Sequence, residues 1–569
     1  MSEKKKGMIN GAEAIIECLI QHGTTDIFAY PGGASMEMHQ AMSKRKSELR
    51  VILPRHEQAG AFAAAGYSRI TGNIGVCMAT SGPGATNLLT GIADAFMDSI
   101  PLIVVTGQVP QQVIGKTAFQ EIDIVGMTIP IVKHSYLLLD PNDISKVFAE
   151  AFHLANSGRP GPVLIDIPKD VQQAMVQPNY DVEIDEITKT DIPYASDDEI
   201  QRIKDAIKDA KKPCIYAGGG IIIAEATKEL TEFAKSYNIP VVTSLMGVGS
   251  FPETSELSLK WLGMHGTYYA NYAANEADLL LVFGARFDDR VTGNTTEFAK
   301  NAKIVHVDVD NSELNKNKPA QIPINSDIKY VLEQLNKKPV KTNCAPWHKQ
   351  VQKWKKDYPL QYPKGNGIRP QFLIRKLYEM TNGEAVIVPG VGQHQMWAGM
   401  YYDYSFPRQL LTSGGLGTMG FGLPTAIGAK VASPDKLVIN IDGDGSFQMN
   451  IQELGTIHAE NIPIKMLILN NQHLGMVAQW EDRFYGRNRG NTVLQNERSN
   501  RPYPDFVSIA KGYEIDGEEI YKLEKLEGAL QRMLADPNQA YVLDVHIEYQ
   551  DHVLPMIPAG GTYKDIMVE

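Results

Sequence analysis

The sequence predicts an α/β protein of three domains, each a mostly parallel sheet flanked by helices. Three observations point there. The chain has 569 residues, and a single hydrophobic core stops growing at about 250–300. Short apolar strands ending in glycine turns alternate with helical patterns, the signature of βα units. Two polar stretches, "VQPNYDVEIDEITKTDIPYASDDE" and "NKKPVKTNCAPWHKQVQKWKKDYPLQYPKGNG", read as linkers. They leave domains at residues 1–175, 195–338 and 366–569.

In the first domain, Asn10 is placed to cap a helix, with Glu13 three residues on. Ile15, Ile16, Leu19 and Ile20 form its apolar face, and Gly23 stops it. "DIFAYPGG" is a strand running into a turn, and "VILPRHEQAGAFAAAGYSRITG" is a strand followed by an Ala-rich helix that ends near Gly72. "IGVCMATSGPGATN" and "PLIVVTGQVP" repeat the strand-to-glycine pattern, and "PGPVLIDIPKD" adds a strand that ends near Lys169. The second domain starts near "KKPCIYAGGGIII" and includes "DLLLVFGARFDDR" and "KIVHVDVDN". The third contains "VINIDGDGSF" and "MLILNN", with one helix, "NIQELGTIHAEN", expected between them. "TSGPGATN" in the first domain and "TSGGLGTMG" in the third are both glycine-rich turns entering helices, an echo that points to two related domains.

Composition excludes several classes. Hydrophobic residues make up 43% and charged residues 21%, with a net charge of −11, so nothing attracts nucleic acid or an anionic membrane surface. "KKK" at Lys4–Lys6 reads as a solvated terminus. Cys18, Cys77, Cys214 and Cys344 lie far apart and form no C-x-x-C pair, which argues against a disulfide framework or zinc site. No stretch supplies the roughly 18 consecutive apolar residues of a membrane span, and no signal peptide is recognisable. The expectation is a cytoplasmic protein, or one in an organelle matrix where a transit peptide has been removed.

The chemistry concentrates at two strand ends. Asp444 follows one strand and Asn471 another, with residues 446–469 between the two motifs. A right-handed crossover would bring both ends to one edge of one sheet, where ligands bind in open parallel sheets. One carboxylate with neutral oxygens suits Mg²⁺, and neighbouring glycines and helix starts suit a phosphate. Either dipeptide alone is also an ordinary turn. Glu57, in the first turn of its helix, is accounted for by the helix dipole when taken alone.

Together, "GDGSF", "NN" and the Arg-His-Glu-Gln around Glu57 resemble the signature of thiamine-diphosphate enzymes. The resemblance implies that Asp444, Asn471 and the backbone of His473 hold Mg²⁺. Gln393 and His394, Gly417, Thr418 and Met419, Gly443, Gly445 and Ser446, and Leu474, Gly475 and Met476 would complete the cofactor wall. It also implies that Glu57 exchanges a proton with the pyrimidine nitrogen of a cofactor held by another subunit.

Longer blocks narrow the family. "AYPGGASMEMHQ", "TSGPGATN", "TGQVP", "AFQEIDIVGMT", "SGRPGPVLIDIPKD", "LGMHGT", "FGARFDDRVTG", "GMVAQWEDRFY" and "LPMIPAGGTY" resemble those of acetohydroxyacid synthase catalytic subunits across nearly the whole chain. That resemblance implies decarboxylation of pyruvate on thiamine diphosphate. The hydroxyethyl group then passes to a second pyruvate, giving 2-acetolactate, or to 2-oxobutyrate, giving 2-aceto-2-hydroxybutyrate, steps of branched-chain amino acid biosynthesis. Gly33, Gln120 and Lys169 join Glu57 as catalytic candidates, and Phe119, Met476 and Trp480 as the substrate pocket.

The resemblance also implies FAD in the central domain. It would be held by Arg159, Gly218, Gly219, Gly220, Ser244, Leu245, Leu262, Gly263, Met264, His265, Gly284, Ala285, Arg286, Phe287, Asp288, Asp308, Val309 and Asp327. The net reaction has no redox step, so this FAD would be structural. A homodimer or homotetramer with shared active sites follows, with a small regulatory subunit as a further partner. Ala34, Pro110, Asp289, Arg290 and Trp480 resemble the mouth where herbicides bind in the family. One departure stands out: the acidic residue usual before "VGQHQMW" is Gly390 here. The alternative is another thiamine-diphosphate 2-oxoacid enzyme, a pyruvate oxidase or decarboxylase. Glyoxylate carboligase lacks a Glu57-type carboxylate, and a non-catalytic homologue would lack Glu57, Asp444 or Asn471.

Overall fold

The computed structural model describes residues 7–185, 188, 192–362, 365, 367–495 and 501–568. Lys4–Lys6 and parts of both predicted linkers (186, 187, 189–191, 363, 364 and 366) lie outside the described residues.

The Gly11–Gln21 helix starts on a capping box: Glu13 N–H donates to Asn10 Oδ1 at 2.8 Å and Asn10 N–H donates to Glu13 Oε2 at 3.3 Å. Its apolar face is buried in the core, as its spacing predicts. The first sheet has six parallel strands in the order Arg50–Ile52, Asp26–Ala29, Gly75–Ala79, Leu102–Gln108, Pro162–Pro168, His134–Leu137. A short antiparallel pair, Ile9–Asn10 with Met175–Val176, ties the two ends of this unit. The central sheet is also six-stranded and parallel, in the order Ser258–Trp261, Val241–Thr243, Pro213–Ala217, Leu279–Phe283, Lys303–Asp308, Ile322–Asn325. The third has five parallel strands, in the order Val386–Pro389, Val438–Gly443, Lys465–Asn470, Tyr541–His546, Asp516–Ile520. The inner strands, such as Leu102–Gln108, Leu279–Phe283 and Lys465–Asn470, are buried along their whole length because helices cover both faces, whereas the edge strands His134–Leu137 and Asp516–Ile520 are partly exposed.

The outer two units share a core. The Glu57–Thr71 helix packs on the Gly422–Ala432 helix, and one apolar cluster runs from Phe28 and Phe62 through Phe421 to Val438 and Ile468. Their backbones approach so closely that a Cβ on Gly66 would lie 2.2 Å from Thr425 O, and one on Gly428 1.8 Å from Ala63 O. The glycines are what allow this crossing.

Two elements differ from the sequence-based expectation. Much of the second predicted linker is the Ala345–Asp357 helix. Trp347 and Val351 bury one turn apart, and Trp347 Nε1 donates to Pro213 O at 3.1 Å, so the helix docks under the central sheet. The helix expected over "NIQELGTIHAEN" is present as a 3₁₀ turn, Ile451–Glu453, leading into Leu454–Glu460, and a further short helix that the sequence did not suggest, Asp444–Gln448, precedes it. Between the two lies Asn450, whose Nδ2 donates to Gly420 O at 2.7 Å. The four cysteines are free and buried. Among the described residues no helix is long and apolar enough to cross a membrane.

Candidate active site

Val438–Gly443 and Lys465–Asn470 are neighbouring parallel strands, with Gly443 opposite Leu469. Asp444 and Asn471 therefore leave the sheet side by side. Asp444 is buried, and burial pushes its carboxyl up to about 7, against hydrogen bonds from the Gly445 and Gln472 backbones. Among the described residues its Oδ2 has no hydrogen-bond partner. A buried carboxylate oxygen without a donor is a ready ligand for a cation. Asn471 Oδ1 accepts from His473 N–H at 3.0 Å, and its Nδ2 donates to Gln393 Oε1 at 3.3 Å. Gln393 is anchored in turn, donating from Nε2 to Gln479 Oε1 and Asp551 O, both at 3.0 Å. This donor set of one carboxylate and neutral oxygens fits Mg²⁺. The Gly475–Phe484 helix starts at the same edge. A Cβ on Gly475 would come 2.2 Å from Gln393 Oε1 and 2.5 Å from Asn471 Nδ2, so this helix start can reach the cluster only as glycine.

These residues line one cavity of about 1410 Å³ that continues onto the central domain. Its wall includes Gln393, His394, Gly417, Met419, Gly443, Asp444, Gly445, Ser446, Asn471, His473, Leu474, Gly475, Met476 and Trp480. Thr418 is not in the wall, because its Oγ1 turns away to Asp94 Oδ1 at 3.1 Å.

The central part of the same wall holds most of the residues the resemblance assigns to FAD, from Arg159 through Gly219, Gly220 and Ser244 to Asp288, Asp308 and Asp327. Gly218, Gly263 and Phe287 stand behind it. A Cβ on Gly218 would meet Gly284 O at 2.0 Å, so this glycine serves backbone packing. Gly263 has φ +107° and packs on Arg290 O, and Phe287 is buried in the core against Tyr216 and Phe298. Burial pushes Asp308 up to about 7 and His265 down to about 4. Asp327 caps the Ile328–Lys337 helix through Tyr330 N–H at 2.7 Å. Arg159 Nη1 donates to Glu313 Oε1 at 2.7 Å.

The other catalytic candidates form a second cluster on the first domain. Glu57 Oε2 accepts from Asn87 Nδ2 at 2.9 Å. A Cβ on Gly84 would meet Thr80 Cγ2 at 2.9 Å and Glu57 Oε1 at 3.4 Å, and Gly82 packs against the Gln120 backbone. Lys169 Nζ donates to Gly33 O at 3.1 Å. Phe119 is 87% exposed, on a loop where Thr117 and Gln120 both take positive φ. None of Glu57, Gly33, Phe119, Gln120 or Lys169 lines the cavity. Asp289 and Arg290 do, whereas Ala34 and Pro110 do not.

Sequence reasoning missed the clamp between these domains. Arg69 Nη2 donates to Asp94 Oδ2 and Asp98 Oδ2, each at 2.9 Å, and Nη1 donates to Thr412 O at 3.0 Å. Asp98 accepts from the Gly414 and Gly415 amides at 3.1 and 2.7 Å, and Ser413 Oγ donates to Asp94 Oδ1. The signal was present: two acids four apart on an otherwise apolar helix, "LTGIADAFMD".

Family models match all three units: the N-terminal TPP binding domain of thiamine pyrophosphate enzymes over residues 9–127, the central domain over 200–335, and the C-terminal TPP binding domain over 390–545. Acetolactate synthase 2, chloroplastic, of Nicotiana tabacum is 51% identical over 98% of this chain and 85% of its own. Acetolactate synthase 1, chloroplastic, of Oryza sativa subsp. japonica is 51% identical over 98% and 88%. Acetolactate synthase, chloroplastic, of Arabidopsis thaliana is 50% identical over 98% and 84%. With the strand-end carboxylate and amide in place, this chain belongs to the thiamine pyrophosphate enzymes and, within them, to the acetolactate synthases, the acetohydroxyacid synthase catalytic subunits.

Proposed function

We propose that two copies of the chain build each active site, one supplying the Asp444–Asn471 edge and the other the Glu57 cluster. The observation that carries this is the separation of the two clusters: the Glu57 group lines no part of the cavity that holds Asp444. The exposed Phe119 supports it, since a large apolar side chain on a strained loop is suited to burial against a partner. A homodimer is the minimum, and a homotetramer or a small regulatory subunit is compatible with it.

Asp444, Asn471 and the His473 carbonyl would hold Mg²⁺, and the start of the Gly475–Phe484 helix and the glycines beside Asp444 would receive the diphosphate. Thiamine diphosphate, when bound, supplies the nucleophilic carbon and the electron sink for breaking and making bonds beside a carbonyl. Glu57, held by Asn87, would move the proton that activates it. Met476 and Trp480 would keep water from the reacting carbon, and Phe119 would close the pocket from the partner. Gln120 and Lys169 would meet the substrate carboxylate, with Lys169 also fixing the Gly33 turn. The central part of the cavity is of a size and polarity that fit FAD, with a structural role. Pyruvate is the donor substrate, and pyruvate or 2-oxobutyrate the acceptor. An aqueous compartment, cytoplasm or organelle matrix, fits this chemistry, and the chloroplastic names of the relatives support the organelle.

The test is direct. Purified protein with Mg²⁺ and thiamine diphosphate should form 2-acetolactate from pyruvate and 2-aceto-2-hydroxybutyrate once 2-oxobutyrate is added. Acetaldehyde as the sole product, or flavin bleaching at the turnover rate, would instead make it a decarboxylase or an oxidase.

A further inference from the structure

We propose that Asp442 is a positioning residue for the cofactor diphosphate, acting through His394, and that Gly390 and Gly422 are glycines because its carboxylate fills their side-chain space. The inference rests on the cavity's being the thiamine diphosphate site and adds a residue that no motif marked.

Asp442 lies in the Val438–Gly443 strand, two residues before Asp444, and is fully buried. Its carboxylate receives few donors. Gly443 N–H reaches Oδ1 at 3.1 Å, and Asn440 Nδ2 reaches Oδ2 at 3.4 Å. Among the described residues its ion-pair contact is His394, with Nε2 3.4 Å from Oδ1. Two glycines from separate segments converge on the same group. A Cβ on Gly390 would lie 2.0 Å from Asp442 Oδ1 and 2.6 Å from Ser446 Oγ, and a Cβ on Gly422 would lie 2.6 Å from both Asp442 Oδ2 and Asn440 Nδ2 and 2.7 Å from Gly390 N. The space is thus shaped around a carboxylate. The paired strands explain how it arrives there: Pro389 is opposite Ile441, so position 442 projects into the turn at 390. The acidic group expected at 390 from the resemblance is therefore supplied from the neighbouring strand.

His394 carries the effect to the cavity. Its ring is in the wall beside Gly443, Asp444 and Ser446; among the described residues Nε2 makes no hydrogen bond, and the carboxylate it faces is Asp442, at 3.4 Å. The Nδ1 edge lies on the Gly392 and Gly443 backbones, where added Cβ atoms would come 3.1 and 2.8 Å from Nδ1. A carboxylate behind an imidazole sets its tilt and tautomer, and supporting partners of this kind are worth about 10- to 100-fold in affinity or activity. With Asp442 behind it and glycine backbone beside it, the His394 ring has one orientation to offer the diphosphate.

The experiment is a thermal-shift titration of the full protein with thiamine diphosphate at saturating Mg²⁺, alongside kinetics. Wild type should be stabilised saturably; if it is not, the site assignment itself fails, separately from this inference. Asp442→Asn should melt like wild type without ligand, bind thiamine diphosphate about 10- to 100-fold more weakly, and keep kcat within about threefold once saturated. Gly390→Ala should cost clearly more in the wild-type background than in Asp442→Ser, where only the Ser446 Oγ contact remains, and the pair Gly390→Asp/Asp442→Ser should recover most of the affinity lost in Asp442→Ser. The inference is overturned if Asp442→Asn binds the cofactor like wild type, if it melts low without ligand, or if Gly390→Ala costs the same in both backgrounds.

Discussion

Asp94, on the Leu89–Met97 helix of the first domain, accepts a hydrogen bond from Thr418 Oγ1 in the cofactor loop of the third at 3.1 Å. Just before that helix, Asn87 holds Glu57 at 2.9 Å. One short run of chain thus connects the loop at residues 417–419 of the third domain to the Glu57 cluster of the first. The clamp predicts two different costs. Asp98→Ala takes one of two buried carboxylates from Arg69 Nη2, which keeps Asp94, and leaves the Gly414 and Gly415 amides without their acceptor, a loss of about 2–5 kcal/mol. Thr418→Val removes one neutral hydroxyl and should cost about 0.5–1.5 kcal/mol. Denaturant melts will show the two differing clearly, and equal losses would sink the clamp.

Glu57→Gln should leave folding and cofactor binding intact and lower acetolactate formation at least about 100-fold, the scale of one acid–base group. Steady-state assays at saturating thiamine diphosphate measure this. Near-normal turnover would remove Glu57 from the chemistry.

Shared sites predict complementation. Glu57→Gln and Asp444→Asn should each be inactive alone. Subunits mixed and exchanged should regain about a quarter of wild-type activity, because half of the dimers are mixed and each holds one intact site of two. No recovery after verified subunit exchange would mean that each chain completes its own site.

Asp166 predicts a pH effect on stability. It is buried between Thr106 Oγ1 at 2.7 Å and Gln108 Nε2 at 2.8 Å, and burial pushes its carboxyl from 3.8 up to about 6. The folded protein then binds the proton more tightly than the unfolded chain. Stability falls as pH rises between about 4 and 6, by up to about 2–3 kcal/mol, and the cost is absent below that window. Asp166→Asn removes the term, so its stability relative to wild type should improve from about pH 4 to about pH 7 whatever its constant offset. Parallel melting curves across that range would contradict the assignment.

Gly428→Ala should destabilise the pair of outer domains by about 1–3 kcal/mol, since its Cβ would overlap Ala63 O and force the two helices apart. Differential scanning calorimetry should show the loss in the transition of those domains, with the central one unchanged.

Much of the fold was legible. The alternation of apolar strands and glycine turns gave parallel sheets because a strand buried on both faces must be apolar throughout. The box at Asn10 and Glu13 formed as its spacing dictates. The segment holding Trp347 and Trp354 reads as a linker because its lysines dominate the composition, whereas Trp347 and Val351, one turn apart, decide where it packs. Asp444 and Asn471 were legible as a pair only because one crossover joins adjacent strands.

The sequence by itself determined the strand-end Asp444 and Asn471 motifs, the Glu57 motif and the family, since these depend on residue type and short spacing. Only the tertiary structure decided which of them meet. It put Asp444 and Glu57 in different clusters, turned Thr418 from the cavity to Asp94, and set the Asp442 carboxylate in the space left by Gly390. Those outcomes depend on backbone approach between segments far apart in the chain, and close packing leaves each cavity room for one side chain and not two.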